Sequence, residues 1–460
     1  MRHALPAIHA IQRCAIAAGL VALGACYRGQ HVDARTVLAE LDAEQRAPAA
    51  PDGPDDGHVP AGATPEVAHA VTEDEAVALA LRFSPDLRAA RRQRGIAEGQ
   101  IVAAGALANP TVEIQLLHLQ DWGTRNGWSV ELAWEPPQPW LYGAKRAAAR
   151  AAAAAVGADV AEAEWQLAAS VRAAHAALLA LQEQRALVEQ GAERRRRVAE
   201  LVERRVSAGA GTRIDSGLAL LAVSQLERER DDLAAQEIAA ARDLGQLLGA
   251  AHPVRAAGAI PEPAGAPPAL DALVEAAIAS RPALAAEVMR FRQREEELRA
   301  EHARNVPWLR LSAAPRYRAD SSERYTSDVL AGVQLTLPLF NFNAGPIAVA
   351  EGVRDQQHEQ LRKLVAGVRR LVAAARDEIA LRQATLRRYR ESILPGLDAH
   401  EQLLTTAVAG GQLDLVARLT AEDVLLRGRR ELVSFRLAHY RAWIDLDRSV
   451  GRHVATERRP

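Results

Sequence analysis

The chain has 460 residues, of which 49% are hydrophobic and only 4% aromatic, and 57 Lys and Arg stand against 58 Asp and Glu for a formal charge of −1. Such a balance excludes a nucleic-acid surface built on excess positive charge. With cysteine only at Cys14 and Cys26, a disulfide-stapled scaffold is excluded as well.

Arg2 and Arg13 flank a short polar stretch, followed by the apolar run Ala15 to Leu23 and then Leu23-Gly24-Ala25-Cys26. A basic region, a short apolar core and small residues predict a secretory signal over residues 1–25, too short and too early to span a membrane. Leu-Gly-Ala-Cys resembles the bacterial lipobox, which implies that Cys26 becomes lipid-modified and N-terminal. Tyr27, where sorting rules disfavour Asp, points by the same resemblance to the outer membrane. Cys14 would leave with the signal, so the mature chain could form no internal disulfide. Residues 26–70 carry Pro48, Pro51, Pro54, Pro60 and Pro65 among Asp, Gly and Ala. They read as a solvated, acylated tether.

Thr72 to Leu107 reads as helix, with Thr72 as cap, Glu75 as its capping-box partner, and Val77, Leu81, Ile96 and Val102 as apolar positions. Pro85 predicts a kink or break within it. Asn109-Pro110 ends it, and the period changes. Val112, Ile114 and Leu116 alternate with Glu113 and Gln115; Trp128, Val130, Leu132 and Trp134 alternate with Ser129, Glu131 and Ala133. These are strands with one apolar and one polar face, joined through Asp121 to Asn126.

From Gly143 to about Arg205 a helix of about 65 residues would be ~100 Å long. Val160, Leu167, Val171, Ala174, Leu178, Leu181 and Val188 recur at spacings of three, four or seven, the seam of a coiled coil. The chain reverses near Gly209 to Asp215, where glycine permits the turn and Thr212 caps a returning helix to Leu248. The helices Thr72 to Leu107 and Thr212 to Leu248, each about half as long, can line the long one end to end.

This pattern then recurs. A shift of 202 positions carries Gly143 onto Gly345, Gly209 onto Gly411, Arg228-Glu229 onto Arg430-Glu431 and Gly249 onto Gly451. A shift of 197 carries Leu81 onto Ile278, Pro85 onto Pro282 and Pro110 onto Pro307. Residues 71–249 and 270–451 are therefore two repeats, joined by a Pro-, Gly- and Ala-rich linker over 250–269 and followed by a tail, 452–460. The second repeat supplies strands through Leu309, Leu311 and Ala313 and through Val329, Ala331, Val333, Leu335 and Leu337. Pro395, where the first repeat has Glu193, predicts a kink.

A soluble sheet packed on a helix would also alternate. However, Trp122, Trp128, Trp134, Trp140 and Trp308 cluster with Tyr142, Tyr317 and Tyr325 around these strands. Aromatic girdles are the mark of an outer-membrane barrel, with Trp128, Trp134, Trp308, Tyr317 and Tyr325 as membrane-interface residues. A barrel closes at about eight strands or more, and lipid tolerates no open edge. One chain supplies four, so on this reading several chains share one barrel.

No P-loop, dinucleotide fingerprint, His-Glu-x-x-His or paired cysteines occur, so neither an enzyme nor a cofactor or metal site is expected. His175 reads as a structural histidine, and Arg194 to Arg197, flanked by Glu189, Glu193 and Glu200, as a solvated helix face.

Glu75-Ala76 through Pro85-Asp86-Leu87, Asn109-Pro110 before a strand, Glu135 to Gly143-Ala144-Lys145-Arg146 opening the long helix, and the Gly209 to Asp215 tip together resemble the TolC-type outer membrane efflux proteins. The resemblance covers about Val71 to Gly451. It implies a mainly α fold with a small β portion: a duplicated helical hairpin forming a periplasmic α-barrel, and four strands per chain entering a 12-stranded barrel in a homotrimer. It implies an outer-membrane location and, as partners, a periplasmic adaptor and an inner-membrane pump, by the opening of the long helix one of the resistance-nodulation-division class. The tips would carry adaptor contact and gating through Gly209, Gly211, Thr212, Arg213, Asp215, Gly411 and Asp414. Val408 and Asp414 depart from the aromatic and the small hydroxyl residue usual at the second tip. Heavy-metal cations and drugs are the two cargoes the resemblance leaves open; a coiled-coil periplasmic scaffold without a pore is the reading from another class.

Overall fold

The computed structural model describes residues 33–35, 37, 69–119, 125–319, 325–409 and 415–454. The chain divides into two units, Met1–Thr64 and Pro65–Pro460. In the first, the described residues carry part of a helical turn, closed by Val37 N donating to Asp33 O at 3.0 Å. All elements named below belong to the second. Cys26 and the proposed signal lie outside the described residues.

Thr72 caps helix α1 (Glu73–Phe83) through a capping box: Glu75 N donates to Thr72 Oγ1 while Thr72 N donates to Glu75 Oε2 at 2.9 Å. Pro85 does break the predicted helix. It sits at the first position of α2 (Pro85–Ala104), where its missing N–H has no helical partner to lose. Strands β1 (Thr111–Leu119) and β2 (Arg125–Trp134) follow. Helix α3 then runs 69 residues without interruption, Pro139–Ser207, and α4 (Arg213–Leu248) returns along it. The second repeat gives α5 (Leu270–Ser280), α6 (Pro282–Ala303), β3 (Trp308–Ala319) and β4 (Tyr325–Thr336). Its long helix is not continuous: α7 (Ala344–Arg388) passes into a π-helical turn, Tyr389–Ile393, before α8 (Leu394–Ala409). Helix α9 (Leu415–Val450) returns.

The four strands form one antiparallel sheet in the order β1-β2-β3-β4. The seam predicted along α3 is real in its apolar positions, since Val160, Val171, Leu178 and Val188 are buried. Helices α1, α2 and α4 all pack on α3, and α6 lies between α7 and α3, tying the repeats together. Both repeats end on a left-handed glycine: Gly249 has φ +72° and Gly451 φ +82°. A Cβ at Gly249 would stand 2.6 Å from Phe83 O, and one at Gly451 2.7 Å from Arg281 Cα. Each helix end is thereby pressed onto the break between its repeat's two short helices.

Two features depart from the sequence reading. The linker is a packed strap: Val254, Ala256 and Ile260 are buried, Val71 N donates to Arg255 O, and Ala257 N donates to Val71 O at 2.7 Å. Short apolar residues spaced through a Pro-rich run suffice to anchor it. Nor is Arg194 to Arg197 a uniformly solvated face. Arg195 is only 3% exposed; its Nη1 donates to Ala222 O at 3.1 Å and its Nη2 pairs with Asp423. The guanidinium thus joins α3, α4 and α9; its neighbour Arg196 pairs with the expected Glu193 and also with Glu227 of α4.

The first core is crossed by a charged network. Arg172 on α3 donates to Glu73 Oε1 at 2.8 Å, Asp447 Oδ2 at 3.0 Å and the Tyr440 hydroxyl at 3.1 Å, and that hydroxyl donates to Glu73 at 2.6 Å. Burial, then the Glu73 hydrogen bond, push the Tyr440 phenol up from its ordinary range. His175 is a buried structural histidine whose Nε2 lies 2.9 Å from Val71 O.

Candidate functional site

The strand registers decide which residues share a face. Val112, Ile114 and Leu116 pair with Leu132, Val130 and Trp128; Trp128, Leu132 and Trp134 pair with Tyr317, Ala313 and Leu311; Leu309, Leu311, Ala313 and Pro315 pair with Leu335, Val333, Ala331 and Val329. Since side chains alternate along a strand, these residues all lie on one face. Every one is apolar or aromatic, and most are exposed, Val329 and Val333 at 73% and 72%. The other face carries Glu113, Gln115, Ser129, Glu131, Arg310, Ser312, Arg316, Asp328 and Gln334, interrupted by Ala133, Ala314 and Leu330. A slip of one residue in any pairing would mix the two sets. The polar-face pair Ser312 and Gly332 also fixes register, because a Cβ at Gly332 would stand 2.8 Å from Ser312 Oγ.

An apolar face left in water is the opposite of what burial drives. No described helix is long and apolar enough to cross a membrane, and the sheet is the element with the apolar surface to do so. Aromatics mark both ends of that surface. Trp128 stacks on Tyr317 near the hairpin ends, with centroids 5.9 Å apart. Six positions along β2, about 20 Å at ~3.3 Å per residue, Trp134 marks the helical end and donates its indole N–H to Ala108 O at 3.0 Å. The apolar band of outer-membrane barrels is about 25 Å tall.

The predicted interface residues do not all share this face. Trp308 has the parity of Arg310 and Ser312; its indole donates to Pro136 O at 2.5 Å, and its ring meets Trp140 edge-on at 6.3 Å. It pins the strand to the start of α3. Tyr325 opens β4 in register with Ala319. Leu337, read as the last residue of that strand, lies just past its end; the sequence reading missed the rest of the connection, where Leu339, Phe340 and Phe342 are exposed. The signal was there, in an odd-numbered alternation that runs on from Leu335 through Leu337 to Leu339.

The first helical tip is fully formed. Gly209 takes φ +74°, Gly209 N donates to Val206 O at 3.0 Å and Ala210 N to Arg205 O at 2.8 Å, the paired bonds of a Schellman motif. Gly211 lies tight against Val206, 3.1 Å from a built Cβ to Cγ2. Thr212 and Asp215 cap α4 reciprocally: Asp215 N donates to Thr212 Oγ1 at 3.2 Å and Thr212 N to Asp215 Oδ2 at 3.0 Å. The hydroxyl and then the backbone N–H of Thr212 hold the Asp215 carboxyl below its ordinary range. Ser216 Oγ reaches back to Glu203 on α3 at 2.5 Å. Arg213 is exposed at the first helical position. Gly411 and Asp414 of the second tip lie outside the described residues. Among the described residues no group of three or more His, Cys, Asp or Glu is placed to hold a metal ion.

The sequence signature described as outer membrane efflux protein matches residues 273–452, the second repeat. The second repeat is thus similar to the outer membrane efflux proteins. The cobalt-zinc-cadmium resistance protein CzcC of Cupriavidus metallidurans is 25% identical to this chain over 395 residues, 84% of this chain and 91% of the relative. Among solved structures, VceC of Vibrio cholerae matches with a TM-score of 0.65 at 21% identity, covering 83% of this chain and 96% of its own. The CmeC outer membrane channel of Campylobacter jejuni matches with a TM-score of 0.69 at 12% identity, covering 84% and 87%. These likenesses extend the fold over both repeats of the chain, the duplicated long hairpins and the four strands alike.

Proposed function

We propose that three copies of this chain form the outer-membrane channel of a tripartite efflux system, a passive conduit for cargo delivered by an inner-membrane pump through a periplasmic adaptor. The observation that carries this is the sheet: one face largely apolar and mostly exposed, the other largely polar, and both edges, β1 and β4, open. Lipid leaves no backbone edge unpaired, so β1 of one copy takes β4 of the next, and three four-stranded sheets make a barrel of 12 strands. The helices support the same cyclic, head-to-tail assembly. Helix α6 lies between α7 and α3, whereas its repeat equivalent α2 packs chiefly on α3 and leaves Ile96 and Val102 exposed. A neighbouring copy's α7 would supply the missing wall.

The long hairpins then continue the lumen as a periplasmic tube whose tips, at Gly209 to Asp215 and at Gly411 to Asp414, meet the adaptor. The pump is of the resistance-nodulation-division class, and Cys26 carries the acyl chains that add a lipid anchor. Likeness to CzcC favours heavy-metal cations as cargo.

Purified protein in planar bilayers should conduct, and more so after Asp215→Ala loosens the first tip. A protein that stays silent in both forms is the poreless scaffold instead. Deleting the gene should sensitise its host to cobalt, zinc and cadmium salts; sensitivity to drugs alone would reassign the cargo. Palmitate labelling that survives in Cys26→Ser would remove the anchor.

A further inference from the structure

The two long helices of the repeats differ at one place. Helix α3 passes through Leu187 to Gly191 as regular α-helix, while the equivalent positions of the second repeat, Tyr389–Ile393, form the π-helical turn. Pro395 accounts for it: without an N–H it cannot bond the carbonyl four residues back, and its ring crowds that carbonyl. A widened turn relieves both, and such turns are where long helices bend.

Three contacts surround the turn. Tyr389 is buried and donates its hydroxyl to Gly428 O on α9 at 2.5 Å, with its ring against Phe435 at 5.1 Å. Leu397, one turn below, fills the space over Gly428 that a side chain there would need. Third, Arg390 pairs with Glu262 of the strap. Glu262 also accepts from Arg436 Nε at 2.6 Å, and Arg436 Nη1 donates to Glu183 on α3 at 2.8 Å. Glu262 therefore connects the turn, through Arg436, to the unbroken helix of the first repeat. The strap is itself held, by its buried apolar residues and by Gly265 O and Pro268 O accepting from Gln383 and Arg376 of α7. Below the turn α8 stays on α9 through Leu404 and the Arg429–Glu401 pair, so the two move together, while Leu403 of α8 is exposed.

We propose that the turn Tyr389–Ile393 is a hinge for the lower part of the second hairpin, and that the strap carboxylate Glu262 is its latch, holding the observed arrangement by bridging Arg390 to Arg436. Tyr389 on Gly428 is the pivot, the contact that persists while α8 swings. Helix α8 has 16 residues, a lever of ~24 Å, so a rotation of about 10° at the turn moves its end by ~4 Å. The assignment of that swing to tip opening rests on the channel reading above; the hinge itself does not.

The test uses the full-length oligomer with spin labels on two exposed pairs, Leu403 with Leu220 across the hinge and Leu371 with Ile238 above it, and distances measured by pulsed electron resonance. Glu262→Gln and Arg390→Gln should each shift and broaden the Leu403 to Leu220 distribution by several ångströms, roughly the ~4 Å lever displacement, and leave the upper pair unchanged. The double variant should add nothing, because both remove one bridge. No shift in the lower pair, equal shifts in both pairs, or additive effects would each overturn the latch. Bilayer conductance of the same variants separates the two claims. A lower-pair shift with raised conductance supports both; a shift in a protein that never conducts keeps the hinge and removes the channel.

Discussion

Val329 and Gln115 lie on opposite faces of the sheet, and a barrel gives them opposite solvents. Val329 is 73% exposed in the single chain, so in a water-soluble sheet Val329→Arg would be an ordinary surface substitution, within about 0.5 kcal/mol of neutral. In a barrel it places a guanidinium in lipid between the Trp128–Tyr317 row and the Ala313–Ala331 row. Charges on the lipid face are destabilising by about 2–4 kcal/mol at the midplane and ~0–1 near the interface; the intermediate depth of Val329 gives roughly 2 kcal/mol. Gln115→Arg is the control, on the polar face opposite Ser129 and beside Glu113, to which Gln115 Nε2 already donates at 2.8 Å. It should stay within about 0.5 kcal/mol. Denaturant titration of protein refolded into phosphatidylcholine vesicles measures both. Equal tolerance of the two substitutions, or a larger loss for Gln115→Arg, would refute the assignment of faces.

Replacing Gly249 by Ala should cost about 2 kcal/mol or more, from the left-handed backbone together with the collision with Phe83 O. Gly258→Ala, also at positive φ but with open space around it, should cost less, which denaturation midpoints of the two variants will rank. Arg172→Met strands the Glu73 and Asp447 carboxylates in a mostly buried site; a loss near 3 kcal/mol is expected, read as a lower Tm, and an unchanged Tm would contradict the network's role. Thr212→Ala should loosen the first turn of α4 by about 1 kcal/mol, seen as faster amide exchange confined to residues after Gly211. Because hydrogen bonds lower the Asp215 pKa in the folded chain, its contribution is present above the unfolded value of about 3.9 and is lost only as pH falls through the lower folded value. Tip exchange should therefore show no change from this group between neutrality and pH 5.

Periodicity made much of this molecule legible. The alternation in Val112 to Leu116 and Trp128 to Trp134 located both strands of the first hairpin, and the repeat shifts transferred them to the second. The turn at Gly209 and the Thr212 cap were readable because each needs particular residue types; the reciprocal bond from Asp215 came only with the structure. What stayed hidden depends on contacts distant in sequence. Arg195 sits in a run of four arginines, and only the approach of Ala222 and Asp423 makes it a buried tie rather than a solvated charge. The strap over 250–269 has a tether's composition and is ordered by Val71, far upstream. Trp308 sits among the alternating apolar residues but falls one position out of phase with Leu309, and parity sent it to the other face. Pro395 announced a distortion, yet the widened turn lies on its N-terminal side, where the carbonyls it displaces are.

A shared barrel requires β1 of one copy to pair with β4 of the next. Native mass spectrometry of the protein extracted from membranes in mild detergent, before and after heating, measures this directly. Three chains in one complex that heating dissociates is the predicted result; a single chain at every temperature would contradict the shared barrel and the conduit with it.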